Sequence, residues 1–116
     1  MEGGNLILMR YITRGNDEII IAKVYDEQGN PKDLTNYTIR CEIKEAPEGA
    51  DLISGVVTKT NPSQGEIQIA FSAADTAKLR ANKQYYMDLE FTDPNGKKFN
   101  YPKPPEQVIV IGRVTD

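Results

Sequence analysis

The sequence predicts an all-β fold, an antiparallel sandwich, and three observations carry that prediction. Apolar residues recur at every second position over most of the chain, the period of a strand with one buried face. Clusters of Gly, Pro, Asn and Asp interrupt these runs every ~8–12 residues. No segment holds a helical period long enough to cross between parallel strands.

The elements follow in order. A first strand is expected near Asn5 to Ile12 and a second near Glu18 to Tyr25, separated by Gly15-Asn16-Asp17. The cleanest alternation is Tyr37, Ile39, Cys41 and Ile43 facing inward against Thr38, Arg40, Glu42 and Lys44. It follows the turn Gln28-Gly29-Asn30-Pro31. A strand near Ile53 to Thr60 ends at Asn61-Pro62-Ser63-Gln64-Gly65, and Ile67, Ile69 and Phe71 alternate with Glu66, Gln68 and Ala70. Ser72-Ala73-Ala74-Asp75 then reads as a capping box, with the Ser72 hydroxyl accepting from the Asp75 amide. The helix formers Ala77, Lys78 and Leu79 extend it, so one short helical turn is expected near residues 73–80, with Leu79 pinned to the core. Tyr85, Met87, Leu89 and Phe91 alternate with Tyr86, Asp88, Glu90 and Thr92. Asp93-Pro94-Asn95-Gly96 suits a type I turn, and two final strands are expected near Lys97 to Tyr101 and Gln107 to Arg113. About seven or eight short strands in this order make an immunoglobulin-like sandwich without the Cys-Trp-Cys pin of antibody domains. At 116 residues it is a single domain over residues 5–116, with residues 1–4 a flexible tail.

Composition narrows the chemistry. With no His, Ser-His-Asp triads, Cys-His dyads and His-ligated zinc are excluded. A lone Cys makes neither an intrachain disulfide nor a cysteine zinc site. The net charge of −3 gives no reason to expect nucleic acid. No apolar run approaches the ~18 residues of a membrane span, and Met1-Glu2-Gly3-Gly4 has no export signal. No glycine-rich loop opens a helix, so no phosphate cradle is expected. The expectation is a chain that is not an enzyme, with no catalytic residue, metal or cofactor.

Each remaining candidate has a plain structural reading beside it. Cys41 lies on an inward strand face and reads as an inert core thiol rather than a reactive one. Asp26-Glu27-Gln28-Gly29-Asn30 lacks the ligand spacing of a calcium loop and reads as a hairpin turn. Asp88 and Glu90 share an outward face, where a solvated strand surface is the simpler account than a proton-sharing pair. Tyr101-Pro102-Lys103-Pro104-Pro105 must be extended and reads as an edge or a link. Two stretches are apolar on both faces: Ile19-Ile20-Ile21-Ala22 and Val108-Ile109-Val110-Ile111. Either a loop or the short helix caps them, or they form an interface. The candidate interface is Ile19, Ile21, Tyr25, Ile109 and Ile111, with Tyr86 and Tyr101 as further candidate exposed aromatics.

The order Arg14-Gly15-Asn16-Asp17, Asp26-Glu27-Gln28-Gly29-Asn30-Pro31-Lys32-Asp33-Leu34-Thr35, Gly65-Glu66-Ile67, Ser72-Ala73-Ala74-Asp75-Thr76 and Tyr85-Tyr86-Met87-Asp88-Leu89-Glu90 resembles a known group. It is similar to the small immunoglobulin-like domains of phage and prophage tail modules, such as the N-terminal domain of phage baseplate upper proteins. The likeness spans about residues 10–116 and rests on turn and strand signatures. Two departures bear on loop geometry: Glu18 stands where an inward apolar residue is expected, and Ala81-Asn82-Lys83 replaces a glycine before the Tyr85 strand. The resemblance implies a non-enzymatic structural part of a virion tail or baseplate, found in the virion or in the host cytoplasm during assembly. Its implied partners are other tail or baseplate proteins and further copies of itself, with neither nucleic acid nor membrane. The alternative is a carbohydrate-binding or adhesion module, with Tyr25, Tyr86 and Tyr101 as its platform.

Overall fold

Alternation in the sequence becomes seven strands among the described residues: β1 (Met9–Thr13), β2 (Glu18–Lys23), β3 (Thr38–Lys44), β4 (Asp51–Asn61), β5 (Glu66–Phe71), β6 (Lys83–Thr92) and β7 (Lys98–Ile111). A single helical turn, α1 (Ala73–Thr76), lies between β5 and β6. The computed structural model describes residues 9–46 and 48–112, so the expected tail over residues 1–4 and the expected start of the first strand at Asn5 lie outside the described residues. The strand order is β1-β7-β6-β3-β4-β5-β2. β1 runs parallel to β7, and all other pairings are antiparallel.

This is an immunoglobulin-like sandwich in which one strand serves both layers. The first part of β4 pairs with β3, placing Gly55 opposite Cys41, and from Val56 onward it pairs with β5. A Cβ at Gly55 would lie 2.6 Å from Ile69 Cγ2, so only glycine lets β4 press this closely on β5 where it changes sheet. The first sheet is β1-β7-β6-β3-β4 and the second β4-β5-β2. Their facing surfaces form one core, with Cys41, Ile43, Met87, Leu89 and Phe91 from the first and Ile20, Ile67, Ile69 and Phe71 from the second. All nine stand at the inward position of their strand's alternation.

One expectation is corrected. The two strands expected at Lys97 to Tyr101 and Gln107 to Arg113 are a single strand, β7, which ends at Ile111; the expected end at Arg113 lies outside the described residues. Its register against β6 jumps from Leu89↔Tyr101 to Met87↔Glu106, so residues 102–105 stand opposite Asp88 alone. Pro102, Pro104 and Pro105 offer no amide to the ladder, yet their fixed φ suits an extended chain, so pairing breaks while the strand continues.

The far end of the sandwich is closed by side chains bonding to backbone. The Asp75 amide donates to Ser72 Oγ at 3.1 Å, as the capping box predicts. Leu79, three residues past α1, is buried. Thr76 is fully buried; its hydroxyl donates to the Asn16 carbonyl at 2.8 Å and accepts from the Gly15 amide at 3.0 Å. Asp17 Oδ1 accepts from the Ala73 amide at 2.7 Å, and Arg14 Nε donates to the Leu79 carbonyl at 2.8 Å. The Arg14–Asp17 turn and α1 are thus clasped together. The two departures at Glu18 and Asn82 also find roles. Glu18 Oε2 accepts from the Thr13 amide at 2.8 Å, tying the end of β1 to the start of β2. Asn82 adopts φ 64°, the left-handed conformation that a glycine would otherwise supply.

Candidate interaction faces

Strand parity sends the outward residues of the two sheets to opposite sides of the sandwich, and this divides the candidate interface into two groups. On the second sheet, Ile19 pairs with Ala70, which pairs with Val56, and Ile21 pairs with Gln68 and through it with Thr58. Ile19, Ile21 and Val56 are 65%, 52% and 68% exposed. On the first sheet, Ile109 lies between Tyr11 and Gln84, while Ile111 pairs with Thr13. Tyr11 is 61% exposed, Ile111 is exposed and Ile109 half-buried. The structure therefore brings Ile19 and Ile21 together, and Ile109 and Ile111 together, but not the two pairs. Among the described residues neither a loop nor α1 covers Ile19 or Ile21.

The tyrosines do not converge. Tyr25 is exposed beyond the end of β2, where it bridges to Pro31. Tyr86 is half-buried on the outward side of β6, its hydroxyl accepting from Gln84 Nε2 at 3.2 Å. Tyr101 packs against the core from β7. Tyr86 and Tyr101 thus lie on opposite faces of one sheet. Sequence reasoning overlooked Tyr11 and Val56, although each adjoins an inward-facing residue, Ile12 or Val57, and parity alone would have turned it outward.

Between the apolar areas, the outward face of β3 and β6 is polar and internally neutralised. Glu42 accepts from Ser54 Oγ at 2.6 Å and from Arg40 Nη2 at 3.2 Å. Asp88 Oδ2 accepts from Asn100 Nδ2 at 3.0 Å, with Lys44 Nζ 3.5 Å away. Glu90 Oε1 lacks a hydrogen bond but sits 3.6 Å from Arg40 and 3.8 Å from Lys98. The expected solvated surface is corrected at Asp88, which is buried with its Oδ1 lacking a hydrogen bond; Asp88 and Glu90 each face a cation, an arrangement that serves charge balance within the sheet rather than proton sharing. Among the described residues, no group of three or more His, Cys, Asp or Glu is placed to hold a metal ion. Asp26 Oδ1 accepts from the amides of Gln28 and Asn30 at 3.0 and 2.9 Å, so its carboxylate closes the turn. Asp93 does the same for Asn95 and Lys97, both at 2.9 Å. Burial pushes the Cys41 thiol well above its ordinary value, and the nearby carboxylates of Glu42, Asp88 and Glu106 add to the effect.

No family model matches the sequence, and no curated protein matches it significantly. Among solved structures the chain is similar to the filamin domain of Lin-41, at 13% identity and a TM-score of 0.46 over 87% of this chain and 82% of that one. It is also similar to a chain of the ZIG-8–RIG-5 IG1–IG1 heterodimer, at 12% identity and 0.43 over 95% and 87%. Murine CRIg is similar at 11% identity and 0.40 over 90% and 92%. The fold assignment rests on the strand order and register of the chain itself: an all-β, immunoglobulin-like sandwich.

Proposed function

We propose that the chain is a non-enzymatic assembly module that acts through protein contacts, and that its setting is a phage or prophage tail or baseplate. One observation carries the reading: an exposed apolar group on each outward face, Ile19, Ile21 and Val56 on one, and Tyr11 and Ile111 with the half-buried Ile109 on the other. A sandwich has no internal need for apolar side chains on both outer surfaces, whereas a part held between neighbours does. The tail setting comes from the sequence resemblance, whose Arg14–Asp17 and Ser72–Thr76 signatures clasp each other here. Tail particles from an induced culture of the host should carry the chain through gradient sedimentation and label with antibody at a fixed place on the tail. Absence from particles, with millimolar binding on a glycan array, would favour the adhesion module instead.

A further inference from the structure

We propose that β2 pairs with β2 of a second copy of this chain, antiparallel about a two-fold axis at Ile20, joining two β4-β5-β2 sheets into one. The proposal rests on the assembly reading above and adds the partner and the register. β2 ends the strand order, so one of its sides has no neighbour among the described strands. Its pairing with β5 runs without a bulge from Glu18 to Lys23, and it contains no proline. A regular edge with two exposed isoleucines is what native sheets avoid unless something pairs with it.

The outward row of β2 states what that partner is. Within the strand it reads Ile19, Ile21, Lys23, and Asp17, the exposed turn residue just before β2, continues the same parity: one charge at each end, of opposite sign, around an apolar middle. A two-fold axis across an antiparallel edge must pass at a residue, because any other centre sets inward side chains opposite outward ones. Centred at Ile20, it sets Ile19 opposite Ile21 of the second copy and Asp17 opposite its Lys23, each twice. On the inward side Ile20 meets its own counterpart and Glu18 meets Ala22. Centred at Ile21, Ile19 would face Lys23; centred at Ile19, Asp17 would face Ile21. Of these registers, only the one centred at Ile20 matches charge with charge and apolar with apolar along the outward row. Asp17 is already held in place, Oδ1 accepting from the Ala73 amide and leaving its other oxygen for the second copy.

Sedimentation velocity of the full chain from micromolar to millimolar concentration should show a monomer–dimer equilibrium. Lys23→Asp sets carboxylates against each other at both ends and should weaken the dimer about tenfold. Adding Asp17→Lys should restore it to within about threefold, with circular dichroism checking the fold. If that double variant does not fold, the register is read by oxidation: Ile19→Cys/Ile21→Cys should crosslink into dimers, while neither single variant should. A monomer throughout, a dimer indifferent to Lys23→Asp, or crosslinking by Ile21→Cys alone would overturn the proposal. A monomer with exchange-protected β2 amides would mean that the chain covers its own edge, and would overturn it too. A monomer still present in tail particles would refute self-pairing and leave the assembly reading standing. A dimer absent from particles would do the reverse.

Discussion

Asn82 illustrates how much a single backbone angle decides. The loop before β6 carries Ala81-Asn82-Lys83 where a glycine would be the simplest choice, and Asn82 takes φ 64° while its amide donates to the Val110 carbonyl. Urea unfolding should find Asn82→Gly within about 0.5 kcal/mol of the parent, and Asn82→Val lower by about 1–2 kcal/mol, since a β-branched residue resists the left-handed region. Gly65 is held more strictly, because φ is 75° and a Cβ there would meet the Val24 carbonyl at 2.4 Å. Cys41 makes a second prediction at this scale. Its thiol is buried and its pKa raised, first by desolvation and then by the carboxylates around it. A thiol reagent should leave it untouched in the native protein and label it on unfolding. The sign of the pH effect follows. The raised group contributes full stability below the ordinary thiol value of 9.0, and that stability falls as pH rises past it, because the unfolded chain ionises first.

Elements were legible in the sequence to the extent that local chemistry sets them. The alternation of β3, β5 and β6, the Asp-centred hairpin turns and the Ser72 cap all depend on neighbours a few residues away, and all are found where the sequence placed them. β7 was not legible as one strand, since its continuity past the prolines depends on partners in β1 and β6. The clasp between the Arg14–Asp17 turn and α1 was hidden for the same reason: Thr76 and Asn16 are 60 residues apart. Thr76→Val keeps the shape but strands the Gly15 amide and the Asn16 carbonyl, and should cost about 1–3 kcal/mol in chemical denaturation. At the start of β6, Tyr85 accepts from the Arg80 amide at 2.8 Å and Met87 follows two residues on, the tyrosine corner of immunoglobulin sandwiches. Tyr85→Phe should lose about 1 kcal/mol by the same measurement.

For the whole molecule, the sheet order explains why the candidate interface divides. Sequence periodicity shows that a stretch is apolar on both faces, but not which stretches share a side. β2 and β7 belong to different sheets, so Ile19 and Ile21 look away from Ile109 and Ile111. That placement suits a part with neighbours on two sides. Because Ile21 is half exposed and outside the core, Ile21→Glu should fold within about 1 kcal/mol of the parent while losing association, as thermal melts and light scattering would show together. The most direct measurement is residue-level radical footprinting of the chain, isolated and within tail particles. Labelling of Tyr11, Ile19, Ile21 and Val56 should fall severalfold on assembly, while the exposed turn at Asp93 to Lys97 stays unchanged. Equal labelling of both faces in the two states would contradict the account.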